Sequence, residues 1–355
     1  EAKAFTESFD LTEKEDVSFF NAFQHCLIDT LWSEVSTLPP ASYLIYDTTT
    51  DLCEGPKKYW KLKQRDINLN TADEEPEALL SSAVNLRTRT DVPYGLYFSG
   101  GLDSSLISTF HDFHNQYYFD DEEDWETDFK KNLKKVAWHL DFPVGSLSSY
   151  PLWKLAQRAS QEVKVVLSGE GADEIFGGYV RYLPVANEYS LRKQFPSYNN
   201  YLFKKYFKFD SFARGFASLT ARNSELLDIV ESWVSPYFEM FEDPINAMGY
   251  ADFELVMPSL LQMGDRMASS SSLENRCPFL DKRIIEFGFS LPPKEKINNL
   301  EQKFILRKLA KKRNLDSALA MNKKGLTVLY HKWNSSNAWD RTQYFDQLKS
   351  LSMVR

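Results

Sequence analysis

The stretch PYGLYFSGGLDSSLISTF (93–110) constrains this chain more than any other. An apolar run, PYGLYF (93–98), reads as a short buried strand. Two glycines follow, and DSSLISTF (103–110) then reads as a helix whose N-terminus is Asp103. The pattern recurs: VKVVL (163–167) is a second short apolar run, and SGEGADEIFGGY (168–179) follows it. Upstream, TADEEPEALLSSAVNLR (71–87) sets Leu79, Leu80, Ala83, Val84 and Leu86 at helical spacing, with Thr71 or Asp73 as cap and Pro76 in the first turn. From about residue 181 the pattern is helical. Strands that end in glycines and pass directly into helices predict an α/β fold: a twisted, mostly parallel sheet with helices on both faces and a helical C-terminal half. Residues 1–65 read differently. ASYLIYD (41–47) and KKYWKL (57–62) alternate like edge strands around the turn-rich TTTDLCEGP, so a partial β-containing domain is expected at 1–65, ahead of the α/β one at 66–355.

With 355 residues, 43% of them hydrophobic, the chain can bury a core for two such units. No apolar run approaches the roughly 20 residues a membrane span needs. A net charge of -8 argues against general nucleic-acid binding but leaves room for a locally positive site for a small anion. Cys26, Cys53 and Cys277 form neither a disulfide framework nor a zinc pattern, which suits a reducing, cytoplasmic setting.

In SGGLDSS, Gly100 and Gly101 let the backbone turn and approach a ligand closely. The hydroxyls of Ser99, Ser104 and Ser105 and the amides of the helix start then face one point, which suits phosphate. The common nucleotide loop needs a Lys before its Ser/Thr, and none is here. Asp103 is the one carboxylate placed to hold a metal, and Mg²⁺ with phosphate oxygens is the expected partner. In the second loop Glu170, Asp173 and Glu174 stand within five residues and need a metal or other cation between them. The blander readings are a capped Gly/Ser turn at Asp103 and an acidic loop capped at Glu174.

The order S-G-G-x-D-S-S resembles the pyrophosphate loop of enzymes that split ATP between its α and β phosphates. SGGLDSS, then SGEGADEIFGGY, SSLENRCPFLDKRIIEFGFSLPP (271–293), EQKFILRKLA (301–310) and MNKKGL (321–326) together resemble the synthetase domain of the glutamine-hydrolysing asparagine synthetase family, a domain shared with β-lactam-forming synthetases. EAKAF and LPPASYLIYD (38–47) are similar to the end of that family's N-terminal class II glutaminase domain. The resemblance implies the fold of the adenine nucleotide α-hydrolases (PP-loop), with ATP and Mg²⁺ as cofactors. It implies that Phe98, Ser168 and Gly169 line the adenylate, that Asp103 and Asp173 serve metal and pyrophosphate, and that Lys303 is an accessory lysine on the phosphate side. It makes Glu170 the acid that assists attack on the acyl-adenylate and Lys323 the catalytic lysine, with Lys324 adjacent. Arg276, Glu274 and Asp281 are expected to form a buried ion-pair hub.

The implied reaction activates a carboxylate as its acyl-adenylate and lets ammonia displace AMP. Aspartate is the leading acceptor; an amide- or β-lactam-forming synthetase on another carboxylate is the alternative, and a degenerate non-catalytic subunit the third. Ammonia would come free or from a glutaminase domain, a homodimer is compatible with the resemblance, and neither nucleic acid nor membrane is an expected partner. The sequence departs from the family in three places. Glu1 stands where a glutaminase has its Cys nucleophile. The distance from Ser99 to Ser168 is shorter than usual, with NQYYF (115–119) as a substitute strand. Met321-Asn322 replaces the family's Arg-Pro. Asp103→Asn is expected to spare the fold, because Asn is also a good N-cap.

Overall fold

The computed structural model describes residues 2–5, 9–14, 22–23, 30–63, 75–118, 125–142, 146, 148–194 and 209–320. Four strands form one parallel sheet: β3 (Tyr94–Tyr97), β4 (Gln116–Tyr117), β5 (Val165–Leu167) and β6 (Glu274–Arg276), in the order β4-β3-β5-β6. A separate antiparallel hairpin, β1 (Ser42–Asp47) and β2 (Leu52–Lys58), precedes them, and a small one, β7 (Ile297–Asn298) and β8 (Glu301–Gln302), follows. The helices are α1 (Glu75–Arg87), α2 (Leu102–Ser108), α3 (Trp125–Leu140), α4 (Ser149–Ala159), α5 (Ala172–Phe176), α6 (Leu183–Gln194) and α7 (Phe212–Thr220). They continue with α8 (Leu227–Met240), α9 (Pro244–Leu255), α10 (Met257–Ser269), α11 (Lys282–Ser290), α12 (Pro293–Lys296), α13 (Phe304–Lys312) and α14 (Asp316–Ala320).

Side-chain alternation along β5 makes the sheet two-sided. Val165 and Leu167 face a core with Leu96, Leu106, Leu80 and Phe287, drawn from α1, α2 and α11. Val166 faces the other way, against Leu155, Ala156 and Ala159 of α4 and Ala268 of α10. Helices therefore cover both faces, and VVL is buried on both, as an interior parallel strand requires.

The strand order decides where a ligand can sit. From β3 the chain moves outward to β4, while from β5 it moves the other way to β6. The connections diverge from the β3/β5 seam, so a crevice opens above the carboxyl ends of those two strands. Both glycine-rich loops leave from these ends, since Leu96 pairs with Leu167.

Several expectations need correcting. The partner of β1 is Leu52–Lys58, which takes up the end of the stretch that reads as turn and only the first two residues of KKYWKL (57–62). Asp103 does not cap α2: Gly101 is the N-cap and Asp103 sits in the first turn. Glu174 likewise lies inside α5, which Gly171 caps. Strand β6 falls in the C-terminal half, where the pattern reads as helical, and it completes the sheet by pairing with β5. Arg276, Glu274 and Asp281 form no single buried hub. Arg276 pairs with Glu274 at 2.8 Å and donates to the carbonyls of Arg87 and Arg89, with Glu274 exposed. Asp281 instead binds Arg87 and Arg283 and caps α11 through the Arg283 amide. NQYYF does supply β4, and Pro76 does lie in the first turn of α1; Thr71 and Asp73 lie outside the described residues.

Candidate active site

The two loops touch. A side-chain carbon on Gly169 would lie 2.9 Å from Asp103 Cβ, so only glycine lets the second loop close on the first. Gly100 (φ +73°) and Gly171 (φ +92°) adopt the left-handed conformation in which glycine is free of strain. In the first loop the hydroxyls of Ser99 and Ser104 stand 3.2 Å apart, and the Gly101 amide donates to Ser99 Oγ at 3.3 Å. Ser105 turns inward and donates to the Gly100 carbonyl, so it braces the loop from beneath.

Between the loops lies a cavity of about 300 Å³. Phe98, Ser99, Gly101, Asp103 and Ser104 line it from the first loop. Ser168, Gly169, Glu170 and Asp173 line it from the second. The residues singled out in the two loops thus border one cavity, while Gly100 and Ser105 support the wall and Lys323 and Lys324 lie outside the described residues.

Lys303 joins the loops. Its ammonium reaches Asp103 at 2.7 Å and Asp173 at 2.8 Å. Burial opposes that charge, but the two carboxylates outweigh it and the lysine's pKa rises. Lys303 has φ +52° at the start of α13, directly after the tight β7–β8 hairpin, and this geometry turns its side chain back over the loops.

Glu170 has a different environment. Its nearest described polar partner is the Cys277 thiol, at 3.6 Å, and Cys277 in turn lies 3.5 Å from Ser168 Oγ. Burial pushes the Glu170 carboxyl up to about 7, and the thiol offsets only part of that. Burial also raises the Cys277 thiol, so it stays protonated and unreactive. Glu174 points away from the cavity into the core, where Tyr179 donates to it at 2.5 Å. Burial and the nearby Asp173 charge push it up to about 8. Of the three acids of the second loop, Asp173 is the one paired with Lys303, which it shares with Asp103 of the first loop.

Sequence reasoning missed Tyr97, Tyr117, Leu152, Leu155, Gln302 and Arg307, which complete the cavity wall. Arg307 follows Lys303 by one helical turn in EQKFILRKLA, a spacing that places both on one face. Nothing local to the others marks them.

An α/β protein with two glycine-rich loops at a sheet's switch point, bridged by a lysine between two carboxylates, is the class defined so far. The asparagine synthase family profile matches residues 75–120 and 112–354. The chain belongs to the asparagine synthase family. It is 26% identical to a glutamine-hydrolysing asparagine synthetase of Bacillus subtilis, over 93% of this chain and 61% of that protein. A Methanocaldococcus jannaschii protein given the same kind of name is 36% identical over 41% of this chain and 36% of its own length. The amidase chyE of Penicillium rubens is 24% identical over 83% of this chain and 58% of its own. The chain thus spans less than two thirds of each of these relatives.

Proposed function

We propose that the protein is an ATP-dependent, AMP-forming carbon–nitrogen ligase that converts a carboxylate to its amide, with aspartate to asparagine as the leading substrate pair. The observation that carries this reading is the Asp103–Lys303–Asp173 bridge across the two loops, with Glu170 on the same cavity wall. A carboxylate is a poor acyl donor because oxide would have to leave. Joined to the α-phosphorus of ATP, it becomes an acyl-adenylate with AMP as a good leaving group. The Ser99 and Ser104 hydroxyls and the amides of 99–101 receive the departing pyrophosphate, with Lys303 balancing its charge. Ser168, Gly169 and Phe98 border the adenylate. Glu170, with a pKa of about 7, is poised to accept a proton from the attacking nitrogen at neutral pH.

Mg²⁺ fits the donor set. Asp103 and Asp173 converge on one point, and Mg²⁺ is commonly held by one or two carboxylates plus substrate phosphates. Among the described residues no group of three or more His, Cys, Asp or Glu could hold a metal by itself. The phosphates would have to complete the site. The metal would supply charge neutralisation at the pyrophosphate; Lys303 would then turn from the two acids toward the phosphates.

The same reading takes the sheet as a PP-loop fold, residues 66–355 as the synthetase unit, and 1–65 as the end of a class II glutaminase domain. In support of the last, β1 and β2 form a two-stranded sheet exposed on both faces, which is marginal alone. Free thiols at Cys53 and Cys277 fit a cytoplasmic setting, and no described helix is long and apolar enough to cross a membrane. The likeness to chyE favours a second reading of the acceptor: a carboxylate other than aspartate. The test is carboxylate-dependent exchange of pyrophosphate into ATP over a panel of amino acids and other acids, then AMP release with ammonium. Exchange with aspartate alone supports the first reading, and exchange with another acid supports the second. ATP cleavage to ADP would overturn both.

A further inference from the structure

The cavity has two kinds of wall. Successive side chains of β3 take opposite faces of the sheet. Phe98, just past its end, packs toward the core of α1 and α2, while Tyr97 packs toward α4 and α10. Tyr117 pairs with Tyr97 across β3 and β4 and shares its face. The Tyr117 ring lies over Gly95, where a side-chain carbon would come within 2.7 Å of Cε2, and its hydroxyl donates to Glu162 at 3.0 Å. The ring is thereby fixed as a floor. Leu152 and Leu155, three positions apart on α4, both line the cavity from one helix face. Glu170 lies on this side too: a side-chain carbon on Gly264 of α10 would be 2.9 Å from its Oε1. Among the described residues this wall carries no positive charge. Burial raises the pKa of both tyrosines, so they stay neutral. The two cations that line the cavity, Lys303 and Arg307, come from α13 and its first residue's neighbour, and both are engaged. Lys303 binds Asp103 and Asp173, and Arg307 donates to the Gln302 carbonyl at 3.0 Å.

We infer that Tyr97, Tyr117, Leu152 and Leu155 form the pocket for the acyl group, and that it selects a monocarboxylic acid with an apolar or aromatic body. The proposal rests on the acyl-adenylate reading above and takes the second of its two acceptors. On that reading the pyrophosphate occupies the side of Ser99, Ser104 and Lys303, and Phe98, Ser168 and Gly169 border the adenylate. The side beside Glu170 is what remains for the group attached to the carboxyl. An aliphatic or aryl body there buries apolar area against two leucines and two rings. Aspartate would bring a second carboxylate to a wall that offers it no described cation, and an unpaired buried charge is costly. A pocket of this kind also discriminates by length, since one methylene is worth roughly 10- to 200-fold in kcat/KM.

The test is pyrophosphate exchange into ATP by the purified protein with aspartate, butyrate, hexanoate, octanoate and phenylacetate. At least one monocarboxylate is expected to exceed aspartate by about tenfold or more in kcat/KM. Leu152→Ala deepens the pocket, so preference among the straight-chain acids should move to a longer one. The ratio of kcat/KM between two chain lengths should change about tenfold, while the KM for ATP holds. A merely structural role for Leu152 would lower exchange with every acid alike and leave the ratio where it was. Aspartate equal to or better than every monocarboxylate would overturn the inference and leave the ligase reading intact. An unchanged length ratio in a folded Leu152→Ala protein would do the same. The panel with the unaltered protein decides the question by itself should that variant fail to fold. Absence of exchange with every acid would overturn the ligase reading and the pocket together.

Discussion

At the scale of single residues, Asp103 carries more than a cap. It shares Lys303 with Asp173, so Asp103→Asn removes one of two carboxylates from a buried ammonium. Pyrophosphate exchange should fall roughly 100- to 1000-fold, as it does when charge stabilisation is removed from a developing anion. The fold should weaken too, by about 1.5–3 kcal/mol, the usual contribution of a hydrogen bond to a charged group. Paired exchange assays and denaturant melts check both; full activity would take Asp103 out of the reaction. Glu170 gives the second expectation at this scale. Its carboxyl must be ionised to accept a proton, so amide formation should rise with pH through about 7. Glu170→Gln should abolish that limb of the pH profile while leaving exchange measurable. A limb that survives in the variant belongs to some other group.

At the scale of elements, close approach of α9 to α5 holds Asp173 in place. A side-chain carbon on Gly249 would lie 2.5 Å from the Glu174 carbonyl oxygen, a backbone atom that cannot swing aside. Gly249→Ala should therefore push the helices apart, costing about 1–3 kcal/mol as overpacking does. It should also depress exchange, because α5 carries Asp173. A variant with normal melting and normal exchange would show that this contact positions nothing. Much of this scale was legible in the sequence. The strands at 94–97 and 165–167, their glycine turns and the helices after them follow from apolar runs meeting glycines. What escaped was structure fixed by partners far along the chain. ENR (274–276) has no apolar residue, yet it is a strand because β5 offers it a parallel edge. The cavity wall at Leu152 and Leu155 belongs to an amphipathic helix whose inward face reads as ordinary core. Lys303 could be placed on the phosphate side, but nothing local told that it would bridge both loops.

For the whole molecule, buried ionisable groups set how stability follows pH. Burial, with the Asp173 charge, raises Glu174 to about 8, and burial raises Glu170 to about 7, from an ordinary value of 4.5. Between 4.5 and those values the folded protein keeps protons that the unfolded chain has released, so stability falls as pH climbs. Lys296 acts in the opposite sense. It is fully buried, its ammonium nitrogen has no hydrogen-bond partner, and it lies 4.5 Å from the centre of the Phe289 ring. Burial lowers it from 10.5 to about 7, so above pH 7 the unfolded chain binds the extra proton and stability recovers. Melting temperature should pass through a minimum near pH 7–8. Glu174→Gln should flatten the falling side and Lys296→Met the rising one. A profile that only rises or only falls across this range would refute the assignment.

The parallel sheet also dictates the order in which a growing polypeptide can complete the site. Ser168 and Cys277, which meet beside the β5–β6 pair, are separated by 109 positions, and Asp103 and Lys303 by 200. Contacts this distant in sequence close late and slowly. A nascent chain that has emerged only to the end of the second glycine loop already holds Asp103 and Asp173, without the lysine that neutralises them. Such an intermediate repels itself at the future cavity, so the C-terminal third acts as an intramolecular counter-ion. Translation pauses before residue 303 would prolong the interval in which the half-built site is exposed to proteases and chaperones.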